Sequence, residues 1–188
     1  MNSTLSTISL EQYLELEERA TTKHEFVDGQ LYAMAGATEN HNLIVGNIVF
    51  ELTLVARAKK EKRCRVMQSD MKLTIVQPPI VSYYPDVIVI CDDSDDNALF
   101  KTKPCFVVEV LSDSTKRIDL TEKKTNYQRI DSLKAYMIVH QDQQLVELHR
   151  RLENNTWQLE QYTDGKIEIP CPSTTLTLEQ IYAGIGGE

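Results

Sequence analysis

Pro104-Cys105-Phe106-Val107-Val108-Glu109-Val110-Leu111-Ser112 is an apolar run with a single carboxylate set into it. Its Val-rich interior, bounded by Pro and Ser, predicts a buried strand. A second run stands just upstream, Tyr84-Pro85-Asp86-Val87-Ile88-Val89-Ile90, also rich in Val and Ile and opening on an acid. Burying a carboxylate is costly unless a cation or hydrogen-bond donors meet it. Two acids on adjacent strands therefore suggest a shared cation. A basic segment follows, with Lys116, Arg117, Lys123 and Lys124 within nine residues. Taken singly, each feature has an ordinary explanation: an Asp at a strand start commonly caps a turn, and a strand Glu commonly faces solvent.

Working outward, Ser9 to Arg19 reads as a first helix, with Ser9 as cap and Glu11 and Gln12 in the opening turn. Asp28-Gly29 is a hairpin signal between two strand-like pieces, the first carrying Glu25. A second helix, capped by Thr38, runs to about Lys60 on the spacing of Ile44, Val45, Ile48, Val49, Leu52 and Val55. His41 falls in its first turn, near the positive end of the helix dipole, which suits a neutral imidazole; a capping or surface histidine is the plainer alternative. Two short strands are expected between Arg65 and Val76. The turn Asp92-Asp93-Ser94-Asp95-Asp96-Asn97 lacks the Gly and terminal Glu of a calcium loop and is rejected as one. A helix from about Ile118 to Ile130 places Asp119, Lys123 and Tyr127 on one face. Strands follow at 135–139, 145–149 and 156–159, then a short helix near 178–182. Strands flanked by helices indicate an α/β fold with a central mixed sheet.

With 188 residues, 41% hydrophobic and 26% charged, the chain suits one globular domain over 1–188. Its expected parts are a helical N-terminal segment at about 9–20, a core at about 25–150, and C-terminal strands with a short helix at about 151–185. No apolar run is long enough for a transmembrane helix, and the first residues lack a signal-peptide pattern, so a cytoplasmic location is expected. Cys64, Cys91, Cys105 and Cys171 show neither a CxxC pair nor a zinc-ligand rhythm and are read as reduced and structural. The net charge of −8 argues against non-specific nucleic-acid binding, though the basic residues cluster locally: Arg57, Lys59, Lys60, Lys62, Arg63 and Arg65 form one group.

Hydrolysing a phosphodiester needs an activated water and something to absorb charge on the phosphate. A hard divalent cation does both, and Mg²⁺ takes one or two carboxylates plus carbonyls and waters. Asp86 and Glu109 would supply the carboxylates and the Val110 carbonyl a third ligand, with a nearby lysine orienting or deprotonating the water.

Pro85-Asp86, then Glu109, then a lysine resembles the PD-(D/E)xK, or restriction-endonuclease-like, superfamily. More narrowly the chain is similar to the Uma-type family within it. The resemblance runs from His24-Glu25-Phe26-Val27-Asp28-Gly29 through Glu39-Asn40-His41-Asn42 and Tyr84-Pro85-Asp86-Val87. It continues through Val108-Glu109-Val110-Leu111-Ser112-Asp113-Ser114-Thr115 and Asp119-Leu120-Thr121-Glu122-Lys123 with Tyr127, ending at Tyr136 to Val139. Two departures stand out. Leu111 occupies the superfamily's usual lysine position, two residues after the glutamate, and the position matching the Uma-type lysine is Lys123. Lys124 would point about 100° away around a helix. Ala135 replaces an acid usual before the tyrosine.

The resemblance implies a restriction-endonuclease-like core with a sheet of about four or five strands. It implies a Mg²⁺-dependent (or Mn²⁺-dependent) DNA endonuclease in which Asp86 and Glu109 hold metal and Lys123 assists the attacking water. Glu25 would add a carboxylate or hold a metal-bound water, and His41 would contact the phosphate or that water, displacing the capping reading. Tyr127 is assigned to packing. DNA and a second copy of the chain are the implied partners. The rival readings are a catalytically silent DNA- or protein-binding module on the same fold, and a small-molecule hydrolase using the same site.

Overall fold

The computed structural model describes residues 7–58, 64–112 and 119–185. Ser9 caps α1 (Leu10–Glu17): its side chain accepts from the Gln12 N–H while the Gln12 side chain accepts from the Ser9 N–H, a reciprocal capping box. Strands β1 (His24–Val27) and β2 (Gln30–Ala33) form the expected hairpin. Asp28 and Gly29 at its tip have φ of 46° and 88°, the two left-handed residues whose twist matches that of the flanking strands. Helix α2 (Glu39–Ala58) starts where expected, the Thr38 hydroxyl accepting from the His41 N–H at 3.2 Å. Its inner face buries His41, Ile44, Val45, Ile48, Leu52 and Ala56.

Strands β3 (Arg65–Gln68), β4 (Lys72–Ile75), β5 (Val81–Tyr83), β6 (Val87–Ile90), β7 (Phe100–Lys101) and β8 (Phe106–Leu111) follow. A π-helical turn, Asp119–Lys123, leads into the short α3 (Lys124–Tyr127). The chain closes with β9 (Ala135–His140), β10 (Val146–Arg151), β11 (Trp157–Tyr162), β12 (Lys166–Pro170), β13 (Ser173–Thr177) and α4 (Leu178–Ile181).

Six strands make the central mixed sheet in the order β11-β10-β9-β8-β6-β3. Its β8–β9 pair is parallel and its other pairs are antiparallel. The π-turn and α3 lie on the crossover between β8 and β9, since parallel neighbours cannot be joined by a tight turn. A five-stranded sheet, β2-β1-β5-β4-β7, and the β12–β13 hairpin complete the strands among the described residues.

The side-chain period of two sorts the central strands between two cores. Val87, Val89, Phe106, Val108 and Val110 pack with α2, the β12–β13 hairpin and α4. Ile88, Ile90, Val107 and Leu111 pack the other way, against Leu73, Ile75, Val81 and Tyr83 of the five-stranded sheet and Tyr127 beyond β8. With both faces covered, β6 and β8 read as continuous apolar runs rather than alternating ones.

The fold is thus α/β and restriction-endonuclease-like, as expected, with three differences. The central sheet has six strands, because β3 and β11 extend both edges. The expected helix at 118–130 is a π-turn and one short α-helical stretch, and residue 118 lies outside the described residues. The β12–β13 hairpin was not expected, although Lys166-Ile167-Glu168-Ile169-Pro170 alternates with a period of two. The cysteines also depart from their reduced, structural reading: Cys64 pairs with Cys91, and Cys105 with Cys171, as disulfides. No helix among the described residues is long and apolar enough to cross a membrane.

Candidate active site

Glu109 lies within β8 on the side of Val107 and Leu111, 3% exposed. Its Oε1 accepts a hydrogen bond from the Tyr127 hydroxyl at 2.7 Å and lies 3.2 Å from Lys123 Nζ. Lys123 Nζ also pairs with Glu25 Oε1 at 2.8 Å. That Glu25 oxygen accepts from the Tyr84 N–H at 3.4 Å, and the ammonium stands 5.4 Å from the Tyr83 ring centroid, within cation–π range. Lys123 and Tyr127 reach the same carboxylate because they are one helical turn apart.

Asp86 sits immediately before β6. Its Oδ2 accepts from the Val110 N–H at 2.7 Å, so this acid is tied to the strand that carries Glu109. The same oxygen is 3.2 Å from His41 Nε2. The first turn of α2 therefore aims the imidazole at a carboxylate rather than at solvent.

The expected site residues fall into two contact groups, His41 with Asp86 and Val110, and Glu109 with Lys123 and Glu25, which meet where Val110 follows Glu109 on β8. They come from α2, both large sheets and the π-turn. Val110 meets Asp86 through its N–H. Lys124 is half-buried while Lys123 is 3% exposed. The alternative pairing of Lys123 with Asp119 concerns a side chain outside the described residues. So do Lys116 and Arg117, and Lys59, Lys60, Lys62 and Arg63 of the other basic group.

Tyr127 corrects its assignment to packing. Its ring does pack, edge-on to Tyr83 and Tyr136 at 5.6 and 5.1 Å, but its hydroxyl also holds Glu109. Burial, and then the Glu109 charge, push the phenol well above its ordinary range, so it remains a neutral donor. Its position one turn beyond Lys123 was the available signal. Tyr83 is also held neutral, chiefly by burial and by its hydrogen bond to Glu122. Asn126 donates to that hydroxyl at 2.7 Å, which fixes α3 against β5. In the acidic turn, Asp95 accepts from the backbone N–H groups of Thr102 and Lys103.

Glu25 and Glu109 flank the Lys123 ammonium, while Asp86 lies beside His41 and is tied to the Val110 N–H of the strand that carries Glu109. Carboxylates held in a medium less polarisable than water are costly unless cations or donors meet them. The donors are hard oxygens, the set that Mg²⁺ and Mn²⁺ accept. The residues therefore fit a divalent cation.

Residues 10–180 match the profile of Uma2, described as "Putative restriction endonuclease". This chain belongs to the Uma2 family. Two uncharacterised proteins of Synechocystis sp. are similar to this Uma2 chain along most of their lengths. One is 33% identical over 180 residues, 95% of this chain and 93% of its own. The other is 31% identical over 170 residues, 89% and 94% respectively. A crystal structure from Anabaena variabilis, of a protein described as a "putative nuclease belonging to DUF820", superposes with a TM-score of 0.75. It covers 94% of this chain and 98% of its own at 16% identity, a likeness of fold.

Proposed function

We propose that this Uma2 chain is a metal-dependent DNA endonuclease that hydrolyses phosphodiester bonds with Asp86, Glu109 and Lys123. The observation that carries the reading is the convergence of Glu25 and Glu109 on Lys123, with Asp86 tied through the Val110 N–H to the strand that carries Glu109. Its family description and its fold support the same reaction class. Asp86, Glu109 and the Val110 carbonyl would hold Mg²⁺ or Mn²⁺, with Glu25 as a further carboxylate. When bound, the ion supplies charge stabilisation to the phosphate and lowers the pKa of water.

The protein's own groups do the rest. Asp86, anchored by the Val110 N–H, keeps its carboxylate fixed relative to β8. Tyr127 and Lys123 hold Glu109 in one rotamer. Lys123, drawn between Glu25 and Glu109, keeps an ammonium at the site, where it orients the attacking water and offsets phosphate charge. His41, whose Nε2 lies against Asp86, would contact the phosphate or the metal-bound water. DNA as substrate and a paired second copy of the chain belong to this proposal.

The test is nicking of supercoiled plasmid with Mg²⁺ or Mn²⁺, alongside calorimetric titration of each metal. Asp86→Asn and Glu109→Gln preserve shape and remove charge. Each should abolish metal binding and lower cleavage by roughly 10²-fold or more. Native protein that neither binds metal nor cuts, with DNA present, would sink the proposal. The silent binding module would then lead.

A further inference from the structure

The four cysteines occur on four separate chain segments, yet the fold collects them at one place. Cys64 immediately precedes β3 and Cys91 immediately follows β6. Because Arg65 opposes Ile90 in that antiparallel pair, the two cysteines face each other one step beyond it, with Cα atoms 4.1 Å apart. Cys105 immediately precedes β8, its N–H donating to the Val89 carbonyl at 2.8 Å. Cys171 sits in the turn between β12 and β13. Two disulfides account for two sulfur pairs, but not for the meeting of the pairs. Cys91 Sγ lies 3.0 Å from Cys171 Sγ and 3.5 Å from Cys105 Sγ. The sulfurs of Cys64, Cys91 and Cys171 all lie within 4.8 Å of one another.

We propose that Cys64, Cys91, Cys105 and Cys171 in their thiol form make a tetrathiolate site for one structural zinc ion. Four sulfurs at about 2.3 Å from a tetrahedral zinc stand roughly 3.8 Å apart; the cross-pair separations of 3.0 and 3.5 Å fall a little short of that spacing, so opening the disulfides and moving the sulfurs slightly apart would meet it. Soft thiolates select zinc over the hard cations that suit carboxylates. Two two-electron reductions by a thiol or phosphine reductant first open the Cys64–Cys91 and Cys105–Cys171 disulfides to four thiols; zinc binding then releases four protons with no further redox change. Cys105 and Cys171 are 8% and 4% exposed, with Cys64 and Cys91 half-buried beside the same core. All four positions are filled by protein, as in a structural site rather than a catalytic one. The ion would pin the β12–β13 hairpin to the β3–β6 edge of the central sheet.

The site is separate from the carboxylate cluster. Asp86 and Cys91 bracket β6, so the two lie at opposite ends of that strand, about 15 Å apart. The test uses full-length protein kept reduced with a phosphine and freed of metal, then titrated with Co²⁺. Expected is one cobalt per chain, with the thiolate-to-cobalt charge-transfer and visible bands of a tetrahedral sulfur site. Zinc should displace them and raise the Tm. Asp86→Asn should keep the signal, and Cys64→Ser combined with Cys171→Ser should lose it. A native chain that shows no thiolate-to-cobalt band, folded or not, overturns the proposal. A band that survives the double substitution does so too. Because the band reports sulfur ligation alone, either result is independent of Mg²⁺ binding or cleavage.

Discussion

Lys123 occupies a position where a neutral residue would leave Glu25 and Glu109 facing each other. Removing one member of a buried ion pair costs about 3–5 kcal/mol, because the remaining charge stays desolvated. Glu25 keeps some access to water, its side chain being 14% exposed, so Lys123→Met should fall near the lower end, about 3 kcal/mol in urea unfolding. Adding Glu25→Gln should recover part of that loss, and an additive double variant would show that the two do not share the ammonium. Tyr127→Phe keeps the ring packing and removes only the bond to Glu109. It should cost about 1.5–3 kcal/mol, the range for hydrogen bonds to charged groups. It should also weaken Mg²⁺ binding, since Glu109 then loses a hydrogen bond that orients it. Unchanged stability and metal affinity would return Tyr127 to packing alone.

The elements contribute through geometry that single residues set. Gly29 is held at a positive φ, and a Cβ there would come within 2.7 Å of the Thr7 Cβ, so both backbone and space exclude a side chain. Gly29→Ala should destabilise by at least about 1 kcal/mol, read as a lower urea midpoint at unchanged slope. The π-turn and α3 place Lys123 and Tyr127 over β8, and π-turns recur at functional sites because they re-aim side chains. On β10, His149 stacks against Tyr136 with ring centroids 6.0 Å apart. Burial first, and then the Lys124 charge, lower its pKa below the usual 6.5, against a smaller opposing effect of Glu147. In the unfolded chain this ring takes up a proton near pH 6.5, while in the fold it resists doing so. The unfolded state therefore binds more protons in that window, and stability falls as pH drops through 6.5. His149→Gln should flatten the unfolding free energy between about pH 7.5 and 5.5, measured by urea titration at each pH. An identical slope in both proteins would remove His149 from the pH response.

At the scale of the whole molecule, the candidate site lies where the two large sheets meet under α2, with Glu25 from one sheet and Glu109 from the other. Because only the folded chain gathers these carboxylates, metal binding and folding should be coupled. Mg²⁺ at 100 times its Kd should stabilise the native state by about 2.7 kcal/mol, seen as a higher Tm, and Glu109→Gln should abolish the shift. The same separation in sequence explains what could be read in advance. Local signals were enough for the Asp28-Gly29 hairpin, for the caps at Ser9 and Thr38 and for the apolar strands around Asp86 and Glu109, because turn chemistry and hydrophobic period are encoded by neighbouring residues. The resemblance added Glu25, His41 and Lys123 as site residues, and the chain's own spacing could not have gathered them. Only the tertiary structure decided that Tyr127 bonds Glu109, that Asp86 is tied to Val110, and that four cysteines without a ligand rhythm form one cluster. Strand pairing and the β8–β9 crossover create those contacts between residues tens of positions apart, and nothing in the local pattern of a chain specifies which distant segments will meet.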